Sequence, residues 1–229
     1  MRTQTLRDGP ESFNVSVREA TGASTAVLFA VGAGGNPEGH VTLLDALTES
    51  GCTVVAPHFQ RLASSVPTEA ELTLRARRLS RALDAFIQPG TIAVGVGHSI
   101  GATTLVALAG GQLWLGAGRR VNILTDTRLT RLGLLAPPTG FFQALGALDA
   151  LNVPILAWVG SEDRITPPVQ TEWLAHAMRD RQTVDVRVTD GAGHFSFMDQ
   201  PPPQTVEPPP NKQEFLQEYS NELCKFVVG

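Results

Sequence analysis

Short apolar runs alternate along this chain with longer segments of helical periodicity. The run TAVLFAV at residues 25–31 is apolar at every position after its threonine, as expected for a strand buried on both faces of a parallel sheet. Runs of this kind predict strands at residues 12–19, 25–31, 52–57, 91–96, 132–137, 153–160 and 183–189. Helices are predicted at residues 41–50, 68–86, 100–110, 166–178 and 211–227. This order predicts one α/β domain over residues 1–229, with a mainly parallel sheet and helices on both faces.

Local signals refine three helix starts and one strand. The first strand, SFNVSVRE, alternates in polarity and is predicted to lie at the edge of the sheet. Polar or proline residues mark helix starts by their capping chemistry. The predicted pairs are Thr68 with Glu71 as a capping box, Thr166 as N-cap with Pro167 at the first helical position, and Asn211 with Glu214. A short proline-rich loop at residues 201–210 is predicted to be extended.

Composition excludes several classes of protein. The net charge is −4 and the only basic clustering consists of short runs such as residues 75–78, so nucleic acid is not an expected partner. Cys52 and Cys224 lie in no metal-binding pattern, so neither a metal site nor a secreted disulfide framework is expected. The first twenty residues contain no apolar signal segment, and no run is long enough to cross a bilayer. We therefore expect a cytoplasmic protein with no membrane partner.

One serine stands between two glycines where a predicted strand meets a predicted helix. The segment is Gly97-His98-Ser99-Ile100-Gly101, which matches the pattern G-x-S-x-G. A serine at such a sharp corner exposes its hydroxyl, and the small residues on either side relieve the crowding. The helix N-terminus also favours negative charge beside it. This context favours a nucleophile over a simple glycine turn.

A serine hydroxyl is a weak nucleophile and needs a base. His194, in the loop after the last predicted strand, follows Ser99 in the chain and lies at the required edge of the sheet. The remaining histidines are predicted to be loop, helix-surface or elbow residues: His40, His58, His98 and His176. An acid must orient the base, and Asp163 fits the spacing after the preceding strand, with Glu162 as the alternative.

An acyl-transfer site also needs donors for the developing oxyanion. The backbone N–H of Ile100, directly after the nucleophile, is one predicted donor. The glycine loop GAGGNPEG after the second strand supplies the other, with Ala33 preferred and Gly34 as the alternative. Neither phosphate-binding glycine pattern is met in this loop, and we expect no cofactor.

These motifs together resemble those of the α/β-hydrolase superfamily, and are similar to its small dienelactone-hydrolase-like branch. The resemblance runs from about Ser24 to the last helix and implies that Ser99, Asp163 and His194 form a catalytic triad. True dienelactone hydrolases carry a cysteine nucleophile, so their substrate does not transfer to a chain with Ser99. Many relatives also have His-Gly at the oxyanion loop, where this chain has Val31-Gly32.

The resemblance also indicates what is missing. Family members with a cap domain insert it between the two strands at residues 132–137 and 153–160, and here only PTGFFQALGALDALN separates them. We predict an open site without a cap domain, with Phe141 and Phe142 either at its rim or in the core. The expected activity is hydrolysis of a small carboxylic ester through an acyl-enzyme, with thioesters, amides and lactones as less favoured substrates. The alternatives are acyl transfer or perhydrolysis by the same triad, and a non-catalytic ligand-binding protein; no oligomeric state is indicated.

Overall fold

The computed structural model describes residues 1–64, 66–203, 205 and 211–229. Its strands are β1 (Arg2–Asp8), β2 (Glu11–Arg18), β3 (Thr25–Ala30), β4 (Cys52–Pro57), β5 (Ile92–His98), β6 (Leu113–Trp114), β7 (Arg120–Val121), β8 (Leu129–Leu135), β9 (Ile155–Gly160) and β10 (Val184–Thr189). Its helices are α1 (Val41–Glu49), α2 (Glu69–Phe86), α3 (Ile100–Leu108), α4 (Pro168–Met178) and α5 (Lys212–Val228). Among these residues, no helix combines the length and the apolar character that crossing a bilayer requires.

The described strands form a central sheet in the order β1-β2-β4-β3-β5-β8-β9-β10, and β6 and β7 form a separate short hairpin. Neighbouring strands from β4 to β10 run parallel, whereas β2 is antiparallel to both of its neighbours. The prediction of a mainly parallel sheet is therefore confirmed. The prediction that residues 12–19 form an edge strand is wrong, because β1 pairs with β2 and takes the edge.

Helices cover both faces of the sheet, as predicted. On one face, α1 and α5 pack side by side over a core that includes Phe29, Val54 and Val96. On the other face, α2, α3 and α4 enclose a second core that includes Leu28, Val55 and Leu134. Alternate residues of the buried strands point to opposite cores, which is why these strands are apolar without interruption.

Of the three helix starts predicted from the sequence, one is confirmed and two differ in the structure. The side chain of Thr68 accepts the N–H of Glu71, and the Glu71 carboxylate accepts the N–H of Thr68, so the capping box is present. α4 begins at Pro168 with Pro167 as its N-cap, so the N-cap prediction for Thr166 is wrong.

The start of α5 also differs from the prediction. Asn211 occupies the N-cap position but makes no side-chain bond to the helix backbone, and its amide donates to the Glu214 carboxylate at 2.9 Å instead. Its φ of 22° departs from the extended conformation that aims an N-cap side chain at the first turn. The predicted extended loop at residues 201–210 lies largely outside the described residues.

The segment between β8 and β9 contains one short 3₁₀ turn, Gly140–Phe142, and forms no cap domain. Phe142 is buried in the core under α3, and Phe141 is half-buried against the same core. The core alternative therefore holds for Phe142. Within residues 1–64, 66–203, 205 and 211–229, no inserted domain covers the carboxyl ends of the parallel strands, the edge of the sheet where ligands bind in folds of this kind.

Candidate active site

Ser99 stands at the corner between β5 and α3 with φ of 54° and ψ of −128°. A positive φ is costly for a residue with a side chain, and such strain is concentrated at functional sites. The corner is held by the Ser99 N–H, which donates to the carbonyl of Leu135 at 2.9 Å. It also requires a glycine two residues later, because a Cβ on Gly101 would overlap the carbonyl of Ala30. The glycine lets α3 lie directly against the end of β3.

The structure brings the three sequence-predicted residues into one chain of hydrogen bonds. The Nε2 atom of His194 lies 3.0 Å from Ser99 Oγ, and its Nδ1 atom lies 2.8 Å from Asp163 Oδ2. An ionised carboxylate only accepts, so Nδ1 carries the ring hydrogen and Nε2 is free to accept the serine proton. The three residues follow β5, β9 and β10. Glu162, the alternative acid, is exposed, so the acid that faces His194 is Asp163.

Asp163 is buried but fully hydrogen-bonded. Its Oδ1 accepts the N–H groups of Ile165 and Thr166 at 2.8 and 2.7 Å, and its Oδ2 accepts from Thr166 and His194. Burial alone would raise the pKa of this carboxyl, but the hydrogen bonds and the charge of His194 outweigh burial and hold the pKa below its usual value. The carboxylate is therefore ionised at neutral pH.

Thr166 contacts the same group of atoms, which the sequence did not indicate. Its Oγ1 lies 2.7 Å from Asp163 Oδ2, 3.0 Å from His194 Nδ1 and 3.1 Å from the carbonyl oxygen of Ala136. A threonine before two prolines has the pattern of a helix start, and that pattern concealed this role. The hydroxyl fixes the acid and the base relative to the end of β8.

Two further histidines lie behind His194. The rings of His98 and His194 have centroids 5.0 Å apart, and those of His40 and His98 are 5.1 Å apart. His98 Nε2 donates to the carbonyl of His194 at 2.9 Å, and His40 Nδ1 donates to the carbonyl of Phe197 at 3.1 Å. The hydroxyl of Tyr219 donates to the same Phe197 carbonyl at 2.9 Å. The backbone around His194 is thus fixed by side chains from three other segments.

Burial decides the charge of the two supporting histidines. Desolvation lowers the pKa of His40 to about 4, and desolvation with the neighbouring histidines lowers the pKa of His98 well below its usual value. Both rings are therefore neutral at pH 7, and each donates through one nitrogen. The two remaining histidines differ: His58 contacts the hydroxyl of Ser16 at 2.8 Å, and His176 is exposed on α4.

Two backbone segments adjoin the nucleophile, the first turn of α3 and the loop after β3. The N–H of Ile100 belongs to the first turn of α3, where no intrahelical acceptor exists. Gly32 lies against the nucleophile, since a Cβ there would stand 3.4 Å from Ser99 Cβ and 3.1 Å from His98 Nδ1. In the described part of the chain, the N–H of Ala33 has no hydrogen-bond partner. Ala33 directly follows Gly32, and its role as the second oxyanion donor stays a prediction, with Gly34 as the alternative.

Known structures share this architecture over the full chain. An alpha-beta serine hydrolase homologue from Coxiella burnetii matches with a TM-score of 0.65 and 18% identity, over 97% of this chain and 96% of that one. The chain has the α/β-hydrolase fold. An esterase domain from a Rhodothermus marinus protein matches with a TM-score of 0.64 and 16% identity, over 100% and 99% of the two chains.

A third structure with the α/β-hydrolase fold is an esterase from Thermogutta terrifontis. It matches with a TM-score of 0.67 and 14% identity, over 99% of this chain and 93% of that one. No protein-family model and no curated protein matches the chain. At these identities the likeness establishes the fold, and the dienelactone-hydrolase-like branch stays a prediction.

Proposed function

We propose that this protein is a serine hydrolase that cleaves a small carboxylic ester through an acyl-enzyme. The observation that carries the proposal is the hydrogen-bond chain from Ser99 through His194 to the ionised Asp163. The strained corner at Ser99 and its place beside free N–H groups support the same reading. The similar hydrolase homologue and esterases support hydrolysis as the reaction class.

In the first step, Ser99 Oγ attacks the ester carbonyl carbon as His194 Nε2 takes the hydroxyl proton. The carbonyl oxygen becomes an oxyanion, which the N–H groups of Ile100 and Ala33 receive. Asp163 stabilises the imidazolium and keeps its hydrogen on Nδ1. When the bond from carbon to the alcohol oxygen breaks, His194 gives its proton to that oxygen. The alcohol leaves and the acyl group remains on Ser99.

In the second step, water takes the place of the alcohol. His194 Nε2 removes one proton from the water as its oxygen bonds to the acyl carbon, and a second oxyanion forms in the same position. The bond from the acyl carbon to Ser99 Oγ then breaks, and His194 returns the proton to the serine. The products are a carboxylic acid and an alcohol, and the enzyme is restored.

The surroundings of the site favour a short acyl chain. In the part of the chain that the structure describes, no inserted domain covers the carboxyl ends of the strands, so little apolar surface encloses a long acyl chain. The segment after Asp163 does expose apolar side chains, with Ile165 at 56% and Val169 at 62% exposure. The similar Thermogutta esterase has been solved with propionate and with butyrate bound. A small, soluble ester with an acyl group of a few carbons fits these features.

The direct test is labelling with a fluorophosphonate, followed by intact-mass analysis. We expect one adduct in the wild-type protein and none in Ser99→Ala. The exposed Ser64→Ala is the matched control and should be labelled like the wild type. Labelling that survives Ser99→Ala would refute the proposal. Labelling of Ser99 without turnover of any ester would favour acyl transfer, and no labelling at all would favour a ligand-binding protein.

A further inference from the structure

Arg75 is a buried cation that makes no ion pair with a described carboxylate, although the charge of Glu71, one turn earlier on α2, acts favourably on it. It lies in the middle of α2 with 2% exposure, and no described carboxylate oxygen is within ion-pair distance of its guanidinium. The other buried arginines differ, since Arg18 pairs with Glu38 and Arg78 pairs with Asp8. Burying a charge is strongly unfavourable unless its hydrogen bonds are satisfied. The hydrogen-bond partners of the Arg75 guanidinium therefore indicate its role.

Those partners are backbone carbonyls: two lie in the loop that follows β3, and the third is that of Gln60, which accepts from Nη2 at 3.5 Å. Arg75 Nη1 donates to the carbonyl of Val31 at 3.1 Å and to the carbonyl of Gly32 at 3.2 Å. The guanidinium also lies over the ring of Phe59, with 4.7 Å between its carbon and the ring centroid. Burial lowers the pKa of Arg75 to about 10, so the side chain is still protonated at neutral pH.

The bond to the Gly32 carbonyl helps to fix the direction of the next N–H, together with the Gly35 N–H, which donates to the same oxygen at 3.2 Å. In a trans peptide, the C=O and the N–H point in opposite directions. Arg75 holds the Gly32 oxygen towards α2, so the Ala33 N–H of the same peptide points away from α2. A Cβ on Gly32 would stand 3.1 Å from His98 Nδ1 and 3.4 Å from Ser99 Cβ, so this peptide adjoins the nucleophile. A carbonyl that accepts from a cation also makes the N–H of its own peptide a stronger donor.

We propose that Arg75 is a positioning residue for the oxyanion site, orienting and polarising the Gly32–Ala33 peptide. The inference rests on the proposed function and deepens it. Because the oxyanion exists only after the serine attacks, the contribution of Arg75 belongs to the transition state rather than to substrate binding. Its loss should lower kcat and leave KM nearly unchanged.

Arg78 provides a matched control on the same helix. It is also buried, at 6% exposure, and its guanidinium lies over the ring of Phe13 at 5.0 Å. Both arginines line a groove of about 780 Å³ between α2 and the segments at residues 10–14 and 58–62. Arg78 binds the carboxylates of Asp8 and Glu11 and makes no described bond to the loop after β3.

The experiment compares Arg75→Met with Arg78→Met by kcat, KM, thermal midpoint and the rate of phosphonylation at Ser99. Removing one oxyanion donor costs roughly 10²–10³-fold in kcat, and Arg75 only orients a donor, so we expect a fall of ~10–100-fold. The phosphonylation rate should fall in parallel, and KM should stay within about threefold. Arg78→Met should lose thermal stability and keep kcat.

A second variant guards against misfolding. Arg75→Lys keeps the positive charge but loses the planar guanidinium with its several N–H donors. It should retain more of kcat than Arg75→Met. Equal kcat values for Arg75→Met and Arg78→Met, or a loss confined to KM, would overturn the role of Arg75 and leave the hydrolase proposal intact. A wild-type protein that is neither labelled nor active would overturn the hydrolase proposal, and this inference with it.

Discussion

Asp163 and Glu162 are adjacent carboxylates with opposite surroundings. Asp163 accepts four hydrogen bonds and faces His194, whereas Glu162 is exposed. We expect Asp163→Asn to lower kcat by roughly 10⁴-fold, because an amide cannot hold the imidazole in the correct tautomer. His194→Ala should cost more, on the order of 10⁶-fold, because it removes the base. The measurement is kcat for a soluble ester, with circular dichroism to establish folding.

Glu162→Gln is the control for this pair and should leave kcat within about threefold of wild type, as surface changes do. A larger loss in Glu162→Gln than in Asp163→Asn would mean that the acid has been assigned to the wrong residue.

At the scale of single residues, the sequence could predict the three residues of the candidate triad but not the residues that position them. Ser99, Asp163 and His194 each follow a buried strand, and parallel strands bring their carboxyl ends to one edge. Thr166 was hidden because Thr-Pro-Pro has the composition of a helix start. Arg75 was hidden because a basic residue in a charged run has the pattern of a solvated helix face. Both depend on distances between segments far apart in the chain.

The element that carries His194 is the segment between β10 and α5, and buried histidines hold it. His40 is neutral in the folded protein, with a pKa of about 4 against 6.5 for a free imidazole. Below pH 6.5 the unfolded chain takes up a proton that the folded protein does not. The stability that depends on neutral His40 is therefore complete above pH 6.5 and is lost as pH falls towards 4.

We expect His40→Gln to flatten the dependence of unfolding free energy on pH. The lowered pKa of His40 corresponds to a change of about 3 kcal/mol in the unfolding free energy between pH 6.5 and 4. In His40→Gln, a large part of this pH-dependent change should disappear. Urea unfolding between pH 4 and 7.5 measures the slope for both proteins. His176→Gln, an exposed histidine on α4, is the control and should retain the wild-type slope. An unchanged slope in His40→Gln would contradict the assignment of a neutral buried ring.

Strands and helices with a clear pattern of apolar residues could be predicted from the sequence. A strand that joins the sheet only through backbone hydrogen bonds to its neighbour could not. β3 and β9 are buried along their whole length, and their sequences show it. β1, with the sequence RTQTLRD, is largely exposed and joins the sheet through backbone bonds to β2. Such a strand leaves no hydrophobic pattern to detect, and its absence from the prediction made β2 look like an edge.

At the scale of the whole molecule, no inserted domain among the described residues covers the carboxyl ends of the strands, which limits how much of a substrate can be buried. We predict that kcat/KM rises with acyl length by about 0.8 kcal/mol per CH₂ and then levels off after a few carbons. The measurement is kcat/KM for a series of esters, below and above the critical micelle concentration of the longer members.

A jump in rate when micelles form would contradict this prediction, since it would indicate a lipase with an interface-sensing lid. A steady gain through long acyl chains would also contradict it, because an open site cannot bury them.

The hydroxyl of Tyr219 on α5 donates to the Phe197 carbonyl and so holds the backbone near His194. The candidate site is therefore completed only late in synthesis of the chain. A ribosome releases Ser99 well before it releases α5. At ~5–20 residues per second, the interval between the two is on the order of ten seconds. During that time the nascent chain carries a nucleophile whose base is not yet anchored. We therefore expect the proposed hydrolase activity to appear only once α5 has been synthesised, and a translation product that stops before α5 to lack it.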